Sequence, residues 1–298
     1  MADITLEPNL PQLQDVKGRS LWRDAWHRML QNRAAVISGL IFLFIVLICY
    51  IGPLFLRHAF DEVNWDMING QPNFAEGYYF GGDGNGRDLF VRTLYGGRVS
   101  IMIGIVATLV SLVIGVSWGA IAGFIGGRVD NVMMRIVDIL YSLPFIFFVI
   151  MLTTVFGREV VLMYVAIGAV SWLDMARIVR GQTLSLKRKE FVEAAHASGV
   201  STLNIIRRHI VPNTIGPVII YVTLTVPTVI LTESFISFLG MGVQEPYSSW
   251  GVLVSEGARI MDFTPWALLG PCTFLSVTLL CLNYLGDGVR DALDPKDR

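Results

Sequence analysis

The amino-acid sequence predicts an all-α integral membrane protein with six transmembrane helices. Composition, mean hydropathy and charge segregation carry that expectation. Of 298 residues, 53% are apolar and only 16% charged, against about 25% charged in an average soluble protein. The mean hydropathy is +0.58. The charges are segregated, leaving uncharged runs long enough to cross a bilayer. By length the chain could form two soluble domains, but it has too little polar surface to coat them. Disordered, collagen-like and disulfide-rich secreted classes are excluded on the same grounds. The 23 Lys and Arg nearly balance the 24 Asp and Glu, so the charge points to no nucleic-acid partner.

A span needs about 20 mostly apolar residues. Uncharged runs of 23 residues (34–56), 29 (99–127), 19 (139–157), 24 (209–232) and 24 (263–286) meet that length. A sixth run, 160–173, has only 14. It becomes a span if Asp174 lies near the membrane surface, and Gly157-Arg158-Glu159 then forms a tight hairpin between spans three and four. With the N-terminus in the cytoplasm, inner segments carry 17 of the Lys and Arg and outer segments 6. The positive-inside bias therefore places both termini in the cytoplasm. No cleavable signal peptide is expected, because the first apolar run starts only after 33 mixed residues.

The N-terminal segment, 1–33, ends in an amphipathic pattern. Leu21, Trp22, Ala25, Trp26, Met29 and Leu30 recur at helical spacing, with Arg19, Arg23, Asp24 and Arg28 facing elsewhere. This predicts a helix at the membrane surface with tryptophans at headgroup depth, as a lipid anchor or, second, as a regulatory contact. Span one (34–56) leads to an external loop, 57–96. There Gly81 to Asp88 (GGDGNGRD) spaces two glycines like a phosphate-binding loop, but Arg87 and Asp88 stand where Lys and Ser/Thr would be needed. We read it as a turn. Cys49, Cys272 and Cys281 lie in apolar runs without metal-ligand spacing and read as packing residues.

The segment between spans four and five carries the most information. It runs through Glu193, Ala194, Ala195 and Gly199 to Arg208-His209-Ile210-Val211-Pro212-Asn213. Locally this predicts a helix, a glycine break, a short second helix and a proline-marked return to the membrane. The alanines leave part of the first helix free of bulk, so it can lie close against another protein. Glu193 offers one acceptor, and Gly199 permits a turn that a Cβ resists.

Glu193-Ala194-Ala195 followed by Gly199 resembles the EAA motif of bacterial ABC importer permeases. Pro212 fits the family's continuation, whereas His209 and Val211 depart from its general form. The run Arg208 to Asn213 resembles a variant of the peptide-transporter subgroup. Gly86-Arg87-Asp88, Gly97-Arg98-Val99-Ser100, Ser237-Phe238-Leu239-Gly240 and Gly286 to Asp291 resemble that subgroup too.

The resemblance implies a MetI-like type I ABC importer permease fold, with the permease domain over 97–287, the EAA segment over 182–212 and a cytoplasmic tail over 288–298. It further implies a heterodimer with a second, homologous permease. Two cytoplasmic ATPase subunits and a periplasmic peptide-binding protein complete the expected system, in a bacterial inner membrane. The substrate implied is an oligopeptide, with dipeptide or nickel permeases sharing much of the pattern. Glu193, Ala194, Ala195, Gly199 and Pro212 would couple to an ATPase. No cofactor is expected on this chain; ATP and Mg belong to the partners. No catalytic or metal-ligand motif appears.

Some residues inside or beside the spans are open to more than one reading. Glu233 lines a translocation path, or makes a buried structural hydrogen bond, or lies near the external end of span five. Asp174 with Arg177, and Arg135 with Asp138, read as i, i+3 pairs. The external segment 240–262, with Glu245 and Trp250, faces a binding protein or is an interfacial loop. Gly104, Gly115, Gly119 and Gly123 predict close helix approach, and Pro144, Pro217 and Pro227 predict breaks in regular hydrogen bonding. Two rival functions fit the same charges: a membrane-embedded enzyme, which would need Asp174 and Glu233 together, and a proton-coupled secondary transporter using either one.

Overall fold

The computed structural model describes residues 21–156 and 160–293. The hairpin triplet 157–159, Arg19 and the last tail residues lie outside them. The described part is helical: α1 Leu21–Gln31, α2 Arg33–Ile51, α3 Leu89–Ile125, α4 Gly127–Ser142, α5 Phe145–Phe156, α6 Val160–Leu186, α7 Glu190–Ala197, α8 Thr202–Ile205, α9 Val211–Ile236, α10 Trp250–Arg259 and α11 Pro265–Leu293.

Four stretches among the described residues are long and apolar enough to cross a membrane: Arg33–Leu54, Leu89–Ile125, Thr202–Met241 and Pro265–Leu293. They correspond to expected spans one, two, five and six. Spans three and four fall on α5 and α6, a placement compatible with the six-helix count. Span three starts differently from the expectation. The segment 128–138, between the runs expected as spans two and three, is helical: α4 covers it and runs on to Ser142. Pro144 cannot donate a backbone hydrogen bond and forces its predecessor out of the helical region. Leu143 accordingly has ψ 129°, and the chain restarts as α5.

Local chemistry sets the helix ends. Asn32 caps α2 by accepting from the Ala35 amide at 3.2 Å. Asp88 caps α3 by accepting from the amides of Phe90 (2.9 Å) and Val91 (3.3 Å). Gly126, at φ 74°, ends α3.

The core is built on α3 packed along α6. A Cβ on Gly115 would lie 2.6 Å from the Met175 side chain, and one on Gly119 would collide with the Ala176 carbonyl. A Cβ on Gly123 would meet the Arg180 carbonyl at 2.9 Å. Gly104 does the same service against Ile230 of α9. These four glycines let backbones approach as side chains could not. Pro217 and Pro227 lie inside a continuous α9, so they remove single donors without breaking the rod. The N-terminal α1 forms where its pattern predicts, with Trp26 and Leu30 exposed.

Candidate functional site

Two regions concentrate the polar chemistry: a helix on the side assigned to the cytoplasm, and a clasp at the opposite end of the bundle.

The inner one is α7. Of its eight residues only Val192 is buried, with Ala195 half-buried one turn on. Val192 belongs to an apolar cluster with Phe124 of α3, Met175 and Val179 of α6, and Ile206 and Ile210 ahead of α9. Glu193, Ala194, His196 and Ala197 are exposed. Gly199, at φ 76°, ends the helix; its amide donates to the His196 carbonyl at 3.0 Å, and the Val200 amide donates to Ala195 at 3.1 Å. That backbone shape favours glycine. Lys187 ties the base of α7 to α3, donating from Nζ to the Phe124 carbonyl at 2.5 Å. A groove of about 810 Å³ runs beside α7, with Ile125, Lys187, Glu193 and His196 on its walls. The anchor Val192 was not singled out from sequence, although its i, i+3 spacing with Ala195 carried the signal.

After Gly199, Pro212 falls in the first turn of α9, where the sequence marks the return to the membrane. Helix α8 continues through a widened turn, Ile206–Ile210, directly into α9. The Val211 amide reaches back to Ile206. Pro212 lacks a donor and crowds the preceding turn, which a wider turn relieves. Pro212 therefore stands in the first turn of α9, within one continuous rod.

The cross-links between α4 and α6 also differ from expectation. Arg177 donates to Asp138 of α4 at 2.9 Å and lies over the Tyr141 ring at 4.2 Å. It does so in place of the expected pair with Asp174, and Asp138 is taken in place of its pair with Arg135. Arg180 grips Asp130 with both Nε and Nη2 at 2.6 Å. The Tyr221 hydroxyl of α9 faces Asp174.

At the outer end, Glu233 is fully buried, with 0% of its surface exposed. It accepts from Ser100 Oγ of α3 at 3.1 Å and from Ser237 Oγ at 2.6 Å. Ser237 lies 3.4 Å from Ser249 Oγ, and the Trp250 amide donates to Ser100 Oγ at 3.2 Å. Glu233 thus joins α3, α9 and the start of α10; a path-lining role would require this clasp to open. Trp250 is buried too, donating from its indole to the Thr93 carbonyl at 2.9 Å. It packs against Gly97, so it presents nothing to an external partner.

Beyond the clasp, 81–88 forms the expected turn. Asp83 accepts from the amides of Asn85 (2.8 Å) and Arg87 (2.9 Å) and from Arg87 Nε (2.8 Å). Arg87 also donates to Glu245 at 2.8 Å. Burial alone would lower the Arg87 pKa, but Glu245 and Asp83 together raise it above the ordinary value. Arg92, fully buried, sits 3.2 Å from Asp83 and 4.0 Å from Glu256. Burial raises the Glu256 pKa, opposed by Arg92. Among the described residues no cluster of three His, Cys, Asp or Glu could hold a metal.

A bundle of apolar helices long enough to cross a bilayer, with one short helix hung from one end, defines a helical membrane protein. Residues 115–298 match the family described as binding-protein-dependent transport system inner membrane component, and residues 20–72 match the N-terminal TM domain of oligopeptide transport permease C. The chain belongs to this family of inner membrane components. It is 56% identical over 294 residues to the oligopeptide transport system permease protein OppC of Escherichia coli (strain K12), covering 99% of this chain and 97% of that one. The same-named protein of Bacillus subtilis (strain 168) is 43% identical, covering 95% and 92%. The glutathione transport system permease protein GsiD of Pectobacterium atrosepticum is 35% identical, covering 96% and 95%. Among solved structures, an inward-facing MetNI methionine ABC transporter superposes with TM-score 0.57 at 18% identity, over 69% of this chain and 96% of that one. That likeness shows a MetI-like fold.

Proposed function

We propose that this chain is the permease subunit of an ATP-driven importer of oligopeptides across a bacterial inner membrane, with both termini in the cytoplasm. It pairs with a second, homologous permease and rests on two cytoplasmic ATPase subunits, which bind and hydrolyse ATP with Mg. A periplasmic binding protein delivers the peptide. The observation that carries the peptide reading is the 56% identity to an oligopeptide permease across 99% of the chain.

The geometry of α7 supports the coupling. Glu193, Ala194 and His196 face outward, where an ATPase groove can take them. Val192 faces inward, into the cluster that joins α3, α6 and α9. Movement of α7 is therefore felt by three spans together, through close-packed side chains that transmit displacement. ATPase closure would tilt those spans between inward-open and outward-open packings. A peptide carries charged termini and unsatisfied backbone groups, so its path must be water-lined and enclosed between subunits. The four glycine contacts of α3 suit a bundle that repacks.

The test is a reconstituted transporter carrying Glu193→Trp or Val192→Asp. Both variants should insert in the membrane yet lose ATPase attachment and peptide uptake. Full attachment and uptake in both would overturn the coupling assignment. A reporter fused after Arg298 should signal from the cytoplasm; an external signal would put α7 on the wrong side. Uptake that collapses with the proton gradient and persists without any ATPase would favour the secondary-transporter alternative.

A further inference from the structure

The external loop after α2 is a folded lobe with an unusual surface. It stands on the end of α3 that projects beyond α2. Arg98 of α3 donates to the carbonyls of Cys49 (2.7 Å) and Tyr50 (3.1 Å), which fixes residue 98 level with the end of α2. Residues 89–97 of α3 therefore project past that end, by about 13 Å at 1.5 Å per residue. The lobe is built on this projection and is fastened to it. Met67 is buried beneath it, the Trp266 indole donates to the Gly70 carbonyl at 3.1 Å, and Phe80 meets Phe90 edge-on at 4.9 Å.

On this base stands a small hairpin. The amides and carbonyls of Asn73 and Tyr78 exchange two hydrogen bonds of 2.9 Å. Asn73 Oδ1 accepts from the Ala75 amide at 3.1 Å, locking the turn. His58 braces it from behind, with Nε2 2.9 Å from the Glu76 carbonyl and its ring tilted against that of Tyr78, centroids 4.4 Å apart. The tip nevertheless presents Phe74 with 74% of its surface exposed, beside Glu76. Trp65, in the adjoining turn, is 78% exposed. Between residues 57 and 80 four carboxylates are exposed, Asp61, Glu62, Asp66 and Glu76, against one guanidinium, Arg57.

A rigid prong with an exposed aromatic tip is costly in water and cheap to dock, because little ordering remains to be done on binding. Aromatic anchors of this kind dominate interface energetics. The carboxylates define the partner's charge. An anionic membrane surface and a second acidic lobe would both be repelled, whereas a basic rim around an apolar patch would be drawn in. We propose that the 57–80 lobe, with Phe74 as anchor and Asp66 and Glu76 as steering charges, docks a soluble extracytoplasmic protein that presents such a basic-rimmed apolar patch. Resting on the importer reading above, that protein is the peptide-binding protein of the same system.

The experiment uses the complete transporter, with partner permease and ATPases, in nanodiscs of phosphatidylcholine. Binding of the purified peptide-binding protein is measured at two salt concentrations, and thermal unfolding checks each variant's integrity. Phe74→Ala should weaken binding about tenfold or more. The double variant D66K/E76K should weaken it and abolish most of its salt dependence. A photo-cross-linking residue at position 74 should capture the binding protein. If wild type binds and both variants bind equally well, the lobe assignment is wrong and the importer reading stands. If the assembled wild type does not bind the protein at all, delivery by a binding protein fails and takes the lobe assignment with it. Capture of lipid or of the partner permease at position 74 would also overturn the proposal.

Discussion

Arg180 of α6 holds Asp130 of α4 with two parallel bonds of 2.6 Å, across 50 residues of sequence. Three residues earlier Arg177 reaches Asp138 on the same neighbour. These paired bonds make α4 and α6 a single unit at the end of the bundle where α7 hangs. A fork of this kind is specific to arginine, whose planar guanidinium matches both carboxylate oxygens.

Replacing Arg180 with Lys keeps the charge and loses the fork. Asp130 is largely buried while Arg180 is one-third exposed, so the expected cost is modest, about 1 kcal/mol. Thermal unfolding of detergent-purified R180K should begin below that of wild type, and D130N should behave alike. Equal melting of both variants and wild type would show that the fork holds nothing.

Gly119 admits the Ala176 backbone where any side chain would intrude. Gly119→Leu should force α3 from α6 and destabilise the bundle by about 1–3 kcal/mol. Cysteine cross-linking between positions flanking residues 119 and 176 should fall in step with stability. An unchanged cross-linking yield in G119L would mean that the two helices can part without consequence.

Glu233 serves the hydroxyls of Ser100 and Ser237 in a fully buried site. Glu233→Gln retains an acceptor of the same shape and should preserve assembly. Glu233→Leu strands those hydroxyls, at about 1–3 kcal/mol each if left unpaired. Size-exclusion profiles and melting curves should therefore rank wild type and E233Q above E233L. Equal behaviour of the Gln and Leu variants would remove the clasp.

Burial raises the Asp88 pKa, against the pull of the Val91 and Phe90 amides that it caps. The sign follows from proton counting. Between the unfolded value, about 3.9, and the higher folded value, the native state binds more protons than the unfolded chain. This group's contribution to stability therefore falls as pH rises through that window. Asp88→Asn keeps a good cap without a titrating charge. Relative to D88N, wild type should gain stability on acidification from pH 7 towards pH 4. A wild-type minus D88N difference that stays flat with pH would contradict it.

Much of this was legible in the sequence because charge and hydrophobicity act locally. The runs 34–56, 99–127, 209–232 and 263–286 announce helices that the structure contains. Gly199 announced a left-handed turn, and Gly115, Gly119 and Gly123 announced a close seam. Pairings across helices were not legible. Asp174 and Arg177 are neighbours on one helix, and nothing in their spacing says that Asp138 lies closer to the arginine. The widened turn before Pro212 was hidden for a related reason, since a proline can end a helix or merely loosen it, and packing decides which. Trp250 looked like a surface aromatic because it follows a polar stretch. Its cavity is made by Gly97 and Cys49, which come from two other helices.

Helix α7 is suspended from the bundle by two side chains. Only Val192 and Ala195 of its eight residues face the bundle, while the others are open to whatever lies below. The inward pair and the outward surface can therefore be rewritten separately. Under the proposed coupling, grafting a different outward sequence onto the same two pegs would hand the passage to a different motor, with the lining of the channel left unaltered.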